Sequence, residues 1–62
     1  AEWVGFSRRE LGEIAAMKGE KEEALEHLRV ARRHLTEAKM PEWDTKGFAE
    51  LEARIAALEK PD

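Results

Sequence analysis

Two histidines on one helical face are the residues of this sequence that come nearest to a metal site. His27 and His34 are seven positions apart, with Glu23 one turn before the first and Glu37 close after the second. Imidazole and carboxylate groups are common zinc ligands. Seven residues of helix, however, separate the two rings by about 10 Å along the axis, and the residues between them on that face carry no ligand atom. We therefore interpret both histidines as solvated flank residues and predict no metal and no other cofactor.

Arginines form a second set of residues with a chemistry of their own. The basic clusters are Arg8-Arg9 and the group Arg29, Arg32 and Arg33. A nucleic-acid interface would need them on one face with aromatic side chains between them. Glutamates are interspersed instead, and the net charge is −3, so we predict no nucleic-acid binding. Arg32 and Arg33 remain candidates for holding a carboxylate or a phosphate of a partner.

The two tryptophans admit two interpretations. Trp3 and Trp43 either cap the ends of a small helical core or stand exposed as anchors for a partner protein. Both alternatives stay open at the level of the sequence. Together with Arg32 and Arg33, the two tryptophans are our candidate partner-binding residues.

The residue types of catalysis lack the settings that catalysis requires. The chain has no cysteine and no glycine-rich phosphate loop, and Ser7 is explained as a helix cap. Glu22 and Glu23 are adjacent carboxylates, but they lie at an open helix start rather than in a cleft. We predict that the chain is not an enzyme.

Length and composition predict a small helical domain. The 62 residues suffice for one domain, which we place at 1–62, and a chain this short buries only about 60% of its unfolded surface. No disulfide can add stability, so a partner chain is the expected supplement. Hydrophobic residues make up 42%, mostly at helical spacing, and no apolar run approaches the ~20 residues that span a bilayer. We expect no membrane contact and a cytoplasmic location.

The first predicted helix, helix A, covers about residues 8–18. Ser7 and Glu10 form a capping box, and Phe6 and Leu11 flank it as a hydrophobic staple. An apolar stripe follows, and a glycine suits the left-handed position past the helix end. The stripe consists of Leu11, Ile14 and Ala15, and the glycine is Gly19. The apolar leader before Ser7, which includes Trp3, is either a separate segment or one more helical turn.

Two further helices follow, and short connections make neighbouring helices antiparallel. Helix B covers about 21–39 and stops before Pro41. Helix C covers about 44–59, with either Pro41 as its first residue or Asp44 as its cap, and it ends before Pro61. The apolar seam of helix B is Ala24, Leu28, Ala31, Leu35 and Ala38, and that of helix C is Phe48, Leu51, Ile55 and Leu58. The predicted fold is an all-α, three-helix antiparallel bundle.

Helices A and B together resemble a tetratricopeptide repeat over about residues 5–38. The positions that carry the resemblance are Leu11-Gly12, Gly19, Glu23-Ala24, Leu28 and Ala31, all in one register. The resemblance implies a hairpin packed closely through small residues, with helix C as a third helix beside it. It also implies a scaffold that binds proteins or peptides in a concave groove without catalysis.

Such solenoids need about three repeats for stability, and this chain has the length of one and a half. The resemblance therefore implies part of a larger repeat protein or a chain that completes its core by self-association. We predict a non-catalytic protein–protein interaction module with a protein or peptide partner. The alternative is a structural three-helix bundle that homo-oligomerises.

Overall fold

Four helices make up 88% of residues 2–60, the part of the chain that the computed structural model describes. They are α1 (Glu2–Met17), α2 (Lys21–Glu37), α3 (Met40–Trp43) and α4 (Thr45–Glu59), and no strand occurs within the described residues. The prediction of an all-α helical bundle is confirmed. Helix α3 was not predicted, because four residues are too few to show a helical period in the sequence.

Helix α1 begins six residues before the predicted start at residue 8. The segment before Ser7 is helical, so Ser7 lies inside α1 and cannot be its N-cap. The predicted capping box with Glu10 is therefore wrong. A tertiary contact accounts for the extra turns, because Gly5 packs directly against Leu35 and His34 of α2 and holds this part of the chain in helix.

The end of α1 follows the prediction. Gly19 has a φ of 79°, in the left-handed region that favours glycine. The N–H of Glu20 donates to the carbonyl of Ala15 at 2.9 Å, and the N–H of Gly19 donates to Ala16 at 3.1 Å. These two bonds constitute a Schellman motif, which leaves a connection short enough to bring α2 back along α1.

Helix α2 ends by a different mechanism from the one predicted. The chain turns at Lys39, whose φ of 64° is left-handed, and Met40 is helical although it precedes Pro41. The two alternatives for the next helix start are both realised, in separate helices. Pro41 lies in the first turn of α3, and Asp44 caps α4 by accepting from the N–H of Gly47 at 3.0 Å. The predicted stop at Pro61 lies outside the described residues.

Helix α2 is the centre of the fold, since α1, α3 and α4 all pack against it. Four of its five predicted seam residues are buried, and Ala38 is half-buried. Helix α4 buries its first three seam residues and leaves Leu58 half-buried. The largest fully buried side chains are Leu28, Leu35, Met40 and Ile55. The predicted seams of α2 and α4 are thus confirmed.

Helices α1 and α2 form an antiparallel hairpin. Gly5, early in α1, meets Leu35, late in α2, and Gly12 meets Leu28. The two residue numbers of each contact add to the same value, as they must when two helices run antiparallel in constant register. The hairpin leaves one long side of α1 free of contact with α2, and that side contains four of the five exposed large apolar side chains of residues 2–60.

Candidate protein-binding site

Helix α1 exposes a row of large apolar side chains, which we call the apolar α1 face. Trp3 is 73% exposed, Leu11 47%, Ile14 50% and Met17 87%. Their intervals of eight, three and three residues keep all four within about one-third of the helix circumference. Ser7 and Glu10 lie on the same side between Trp3 and Leu11, so the face consists of Trp3 near the start of α1 and a group of Leu11, Ile14 and Met17 near its end.

The opposite side of α1 is made of small residues. Its buried positions are Gly5, Gly12 and Ala15, and this is the side that contacts α2. Small side chains allow the two helix axes to approach closely. The helical period of the predicted apolar stripe assigns Leu11 and Ile14 to the buried side, but both are exposed, so that prediction is wrong. Only Ala15 of the predicted stripe is buried.

Trp3 and Trp43 occupy different environments. Trp3 belongs to the apolar α1 face and contributes nothing to the core. Trp43, at the end of α3, is half-exposed, and its Nε1–H donates to the carbonyl of Ala38 at 2.9 Å. Its ring lies 6.1 Å from that of Phe6, which is itself covered by the guanidinium of Arg9 at 5.2 Å. Trp43 therefore closes the end of the bundle, whereas Trp3 lies exposed on α1.

Arg32 and Arg33 do not lie on the apolar α1 face. They line a shallow pocket of about 470 Å³ between α2 and α4, which we call the arginine pocket. Its remaining lining residues are Arg29, Thr36, Glu37, Pro41, Phe48 and Glu52. The structure thus separates the four predicted partner-binding residues into two sites.

A charged groove runs between α1 and α4. It has a volume of about 280 Å³ and is lined by Arg9, Glu13, Gly47, Glu50, Leu51 and Arg54. Arg54 forms an ion pair with Glu13 of α1 at 3.1 Å. The sequence suggests Glu50 as the partner of Arg54, one turn away on the same helix, but the bridge to α1 forms instead. This pair connects the two outer helices across the groove.

His27, one of the two histidines considered as metal ligands, has a ring nitrogen engaged by an arginine. Arg8 Nη1 donates to Nδ1 of His27 at 3.0 Å and so occupies the lone pair of that nitrogen. Within residues 2–60, no three histidine or carboxylate side chains are grouped closely enough to hold an ion. In the same range, no helix has both the length and the apolar character needed to cross a membrane.

Comparison of the chain with protein-family models, with curated proteins and with solved structures found no match. The tetratricopeptide resemblance therefore stays a prediction, carried by the positions quoted for it. The candidate sites depend on the geometry of this chain alone.

The apolar α1 face is not predicted from the sequence, because the helical period favours burial of the large residues of α1. One signal was available. Gly5 and Gly12 are seven residues apart, which places them on one side of a helix, and Ala15 follows three residues later on that side. A side built of small residues is where a second helix packs closely, so the large residues opposite were left to face solvent.

Proposed function

We propose that the chain is a non-catalytic protein-interaction module and that the apolar α1 face docks a helix of another protein. The observation that carries the proposal is the exposure of Trp3, Leu11, Ile14 and Met17 on the side of α1 turned away from α2. Several large apolar side chains exposed on one side of a helix commonly mark an interaction site.

The dimensions of the face suit a helical partner. Helix α1 has 16 residues and is therefore about 24 Å long. A partner helix along it would supply apolar residues at intervals of three and four. Fully burying one large apolar side chain is worth about 1.5–3 kcal/mol, and Trp3 and Met17 have most of that still to gain. Trp3 is the anchor we expect, since tryptophan is enriched among the residues that dominate binding energy.

The packing of the hairpin supports the same class of function. Gly12 lies against Leu28, and Ala24 and Ala31 are fully buried, which is the close approach that the tetratricopeptide resemblance implies. Proteins of that family act as scaffolds for other proteins. A cytoplasmic location belongs to the proposal too, and its support is the absence of cysteine from the sequence.

Site-specific photo-crosslinking in cells that produce the chain tests the docking face. One variant carries the photoreactive residue at Ile14, and the control carries it at Ala53, which is exposed on α4. We expect a discrete adduct with another protein from position 14 and none from position 53. Adducts of equal yield from both positions, or none from position 14, would contradict the proposal.

Self-association is the second candidate function, because the same face could pair with a second copy of the chain. A domain of this size has little core of its own, so burial of Trp3 and Met17 in a dimer would add stability. Sedimentation velocity at two concentrations a hundredfold apart distinguishes the candidates. A dimer that Ile14→Lys dissociates and Ala53→Lys leaves intact would establish self-association. A monomer at both concentrations would exclude it and leave the partner proposal standing.

A further inference from the structure

The arginine pocket combines an apolar floor with a basic rim. Phe48, which is almost fully buried, and Pro41 form the floor where α2, α3 and α4 meet. Arg29, Arg32 and Arg33 come from one turn of α2 and stand at the rim. No residue of α1 lines this pocket, so it is separate from the apolar α1 face.

Among residues 2–60, two of the three arginines have no partner for their charge. Arg29 is held by Glu59 of α4, with Nη2 and Oε2 2.8 Å apart. Within residues 2–60, neither Arg32 nor Arg33 makes an ion pair or a side-chain hydrogen bond. Arg32 is nevertheless half-buried, and its backbone carbonyl accepts from the hydroxyl of Thr36 at 2.6 Å. The guanidinium groups of Arg32 and Arg33 can each donate two parallel hydrogen bonds, and both groups lie beside an apolar surface.

We propose that the arginine pocket binds an acidic peptide segment, which places one apolar side chain on Phe48 and Pro41 and its carboxylates on Arg32 and Arg33. Charge complementarity selects this occupant. Arg29 is bound by Glu59, so the cations of the lining that remain unpaired are Arg32 and Arg33, which are adjacent on α2. Carboxylates match the fork of an arginine, and paired charges of this kind give shorter and stronger hydrogen bonds than neutral groups.

The two glutamates of the lining set the orientation of the segment. Glu37 and Glu52 also line the pocket, at its α2 and α4 sides. They repel acids that approach them, so the carboxylates of the segment must lie toward Arg32 and Arg33. A nucleic-acid strand carries a charge on every nucleotide, so phosphates beyond those on Arg32 and Arg33 would approach the glutamates. The pocket thus favours a peptide with one apolar position beside an acidic pair over a polyanion.

Fluorescence anisotropy with a defined probe tests the proposal. The probe is a labelled peptide, capped at both ends, in which one leucine is followed by a pair of glutamates. We expect saturable binding that weakens with added salt. The double variant Arg32→Gln/Arg33→Gln should lower the affinity by more than about tenfold, since charge-assisted hydrogen bonds are worth that much.

The control variant Lys18→Gln/Lys46→Gln removes the same net charge at two exposed positions outside the pocket. We expect it to lower the affinity less than about twofold, as general screening of a distant charge would. Equal losses in the two double variants would show unspecific attraction and overturn the proposal. A probe with glycine in place of leucine should bind more weakly, and equal binding would overturn the role of the apolar floor.

Two further measurements separate this site from other interpretations. Ile14→Lys, on the apolar α1 face, should leave the affinity for the peptide unchanged. A loss of affinity in this variant would place the peptide on α1 instead. A single-stranded oligonucleotide of the same net charge should bind more weakly than the peptide, and tighter binding would overturn the choice of ligand. Failure of the peptide to bind wild-type chain would refute this inference without touching the proposed function of α1.

Discussion

Gly12 of α1 lies directly over the side chain of Leu28 of α2. A methyl group at Gly12 would come 2.6 Å from both Cγ and Cδ2 of Leu28 and 3.2 Å from the carbonyl oxygen of Ala24. Gly5 has the same relationship to Leu35, seven residues along each helix. The two glycines therefore set the distance between α1 and α2, and the two leucines fill the space that they leave.

The first prediction is that Gly12→Ala destabilises the protein. In an exposed helix, replacing glycine with alanine raises the free energy of unfolding by at most about 1 kcal/mol, because alanine is the better helix former. Here the new methyl group meets a fully buried leucine, and overpacking of this kind costs about 1–3 kcal/mol. Urea unfolding followed by circular dichroism measures the outcome. An increase in the free energy of unfolding would mean that α1 and α2 are farther apart than the structure has them.

The second prediction concerns Ser7 and decides where α1 begins. Ser7 is exposed in the interior of the helix, so Ser7→Ala should raise the free energy of unfolding slightly, by about 0.5 kcal/mol, through helix propensity. A serine that caps a helix would give the opposite sign, with a loss of about 1 kcal/mol. The same unfolding measurement settles it. A loss of that size would restore the capping box and a start near residue 8.

The contrast between α1 and the other helices shows what a sequence of this kind can and cannot predict. Helices α2 and α4 have one seam each that includes large apolar residues such as Leu28 and Ile55, and burial of those residues follows from their period alone. Helix α1 has large apolar residues on one side and glycine and alanine on the other. Hydrophobicity favours burying the large side, but the close approach of α2 favours the small one. The preference for burying the small side depends on the position of a neighbouring helix, and the local sequence pattern carries no information about that position.

Helix ends show the same limit. Gly19 was predicted correctly because glycine is the residue that the left-handed position prefers. Lys39 adopts the left-handed conformation although lysine does not favour it. The sequence therefore predicts the end of the helix from Pro41 instead. The arginine pocket was only half predicted for a related reason. Arg32 and Arg33 are visible as a pair in the sequence, but Phe48 and Pro41 come beneath them only when α4 packs on α2.

The third prediction is that Lys39→Gly stabilises the protein. A left-handed conformation costs a residue with a Cβ roughly 1–2 kcal/mol, and glycine avoids that cost. Part of the gain is offset because glycine makes the unfolded chain more flexible, so the expected net gain is about 0.5–1 kcal/mol. A thermal melt should show a higher midpoint. As a control, Lys46→Gly inside α4, where φ is not left-handed, should lower the midpoint, because glycine in a helix is unfavourable.

The last prediction compares two neighbours on α2. Leu28 is fully buried between α1 and the rest of the core, whereas Val30 is half-buried at the side of the helix. Leu28→Ala should cost about 2–5 kcal/mol, depending on how far the cavity collapses, and a domain of this size has only about 3–5 kcal/mol in total. We therefore expect Leu28→Ala to unfold most of the isolated chain at room temperature. Val30→Ala should change the midpoint of unfolding by little, because it removes less volume and leaves no enclosed cavity. Circular-dichroism melts of both variants provide the comparison. If Val30→Ala proves the more damaging, the buried side of α2 is assigned wrongly, and the packing of Gly12 on Leu28 is wrong with it.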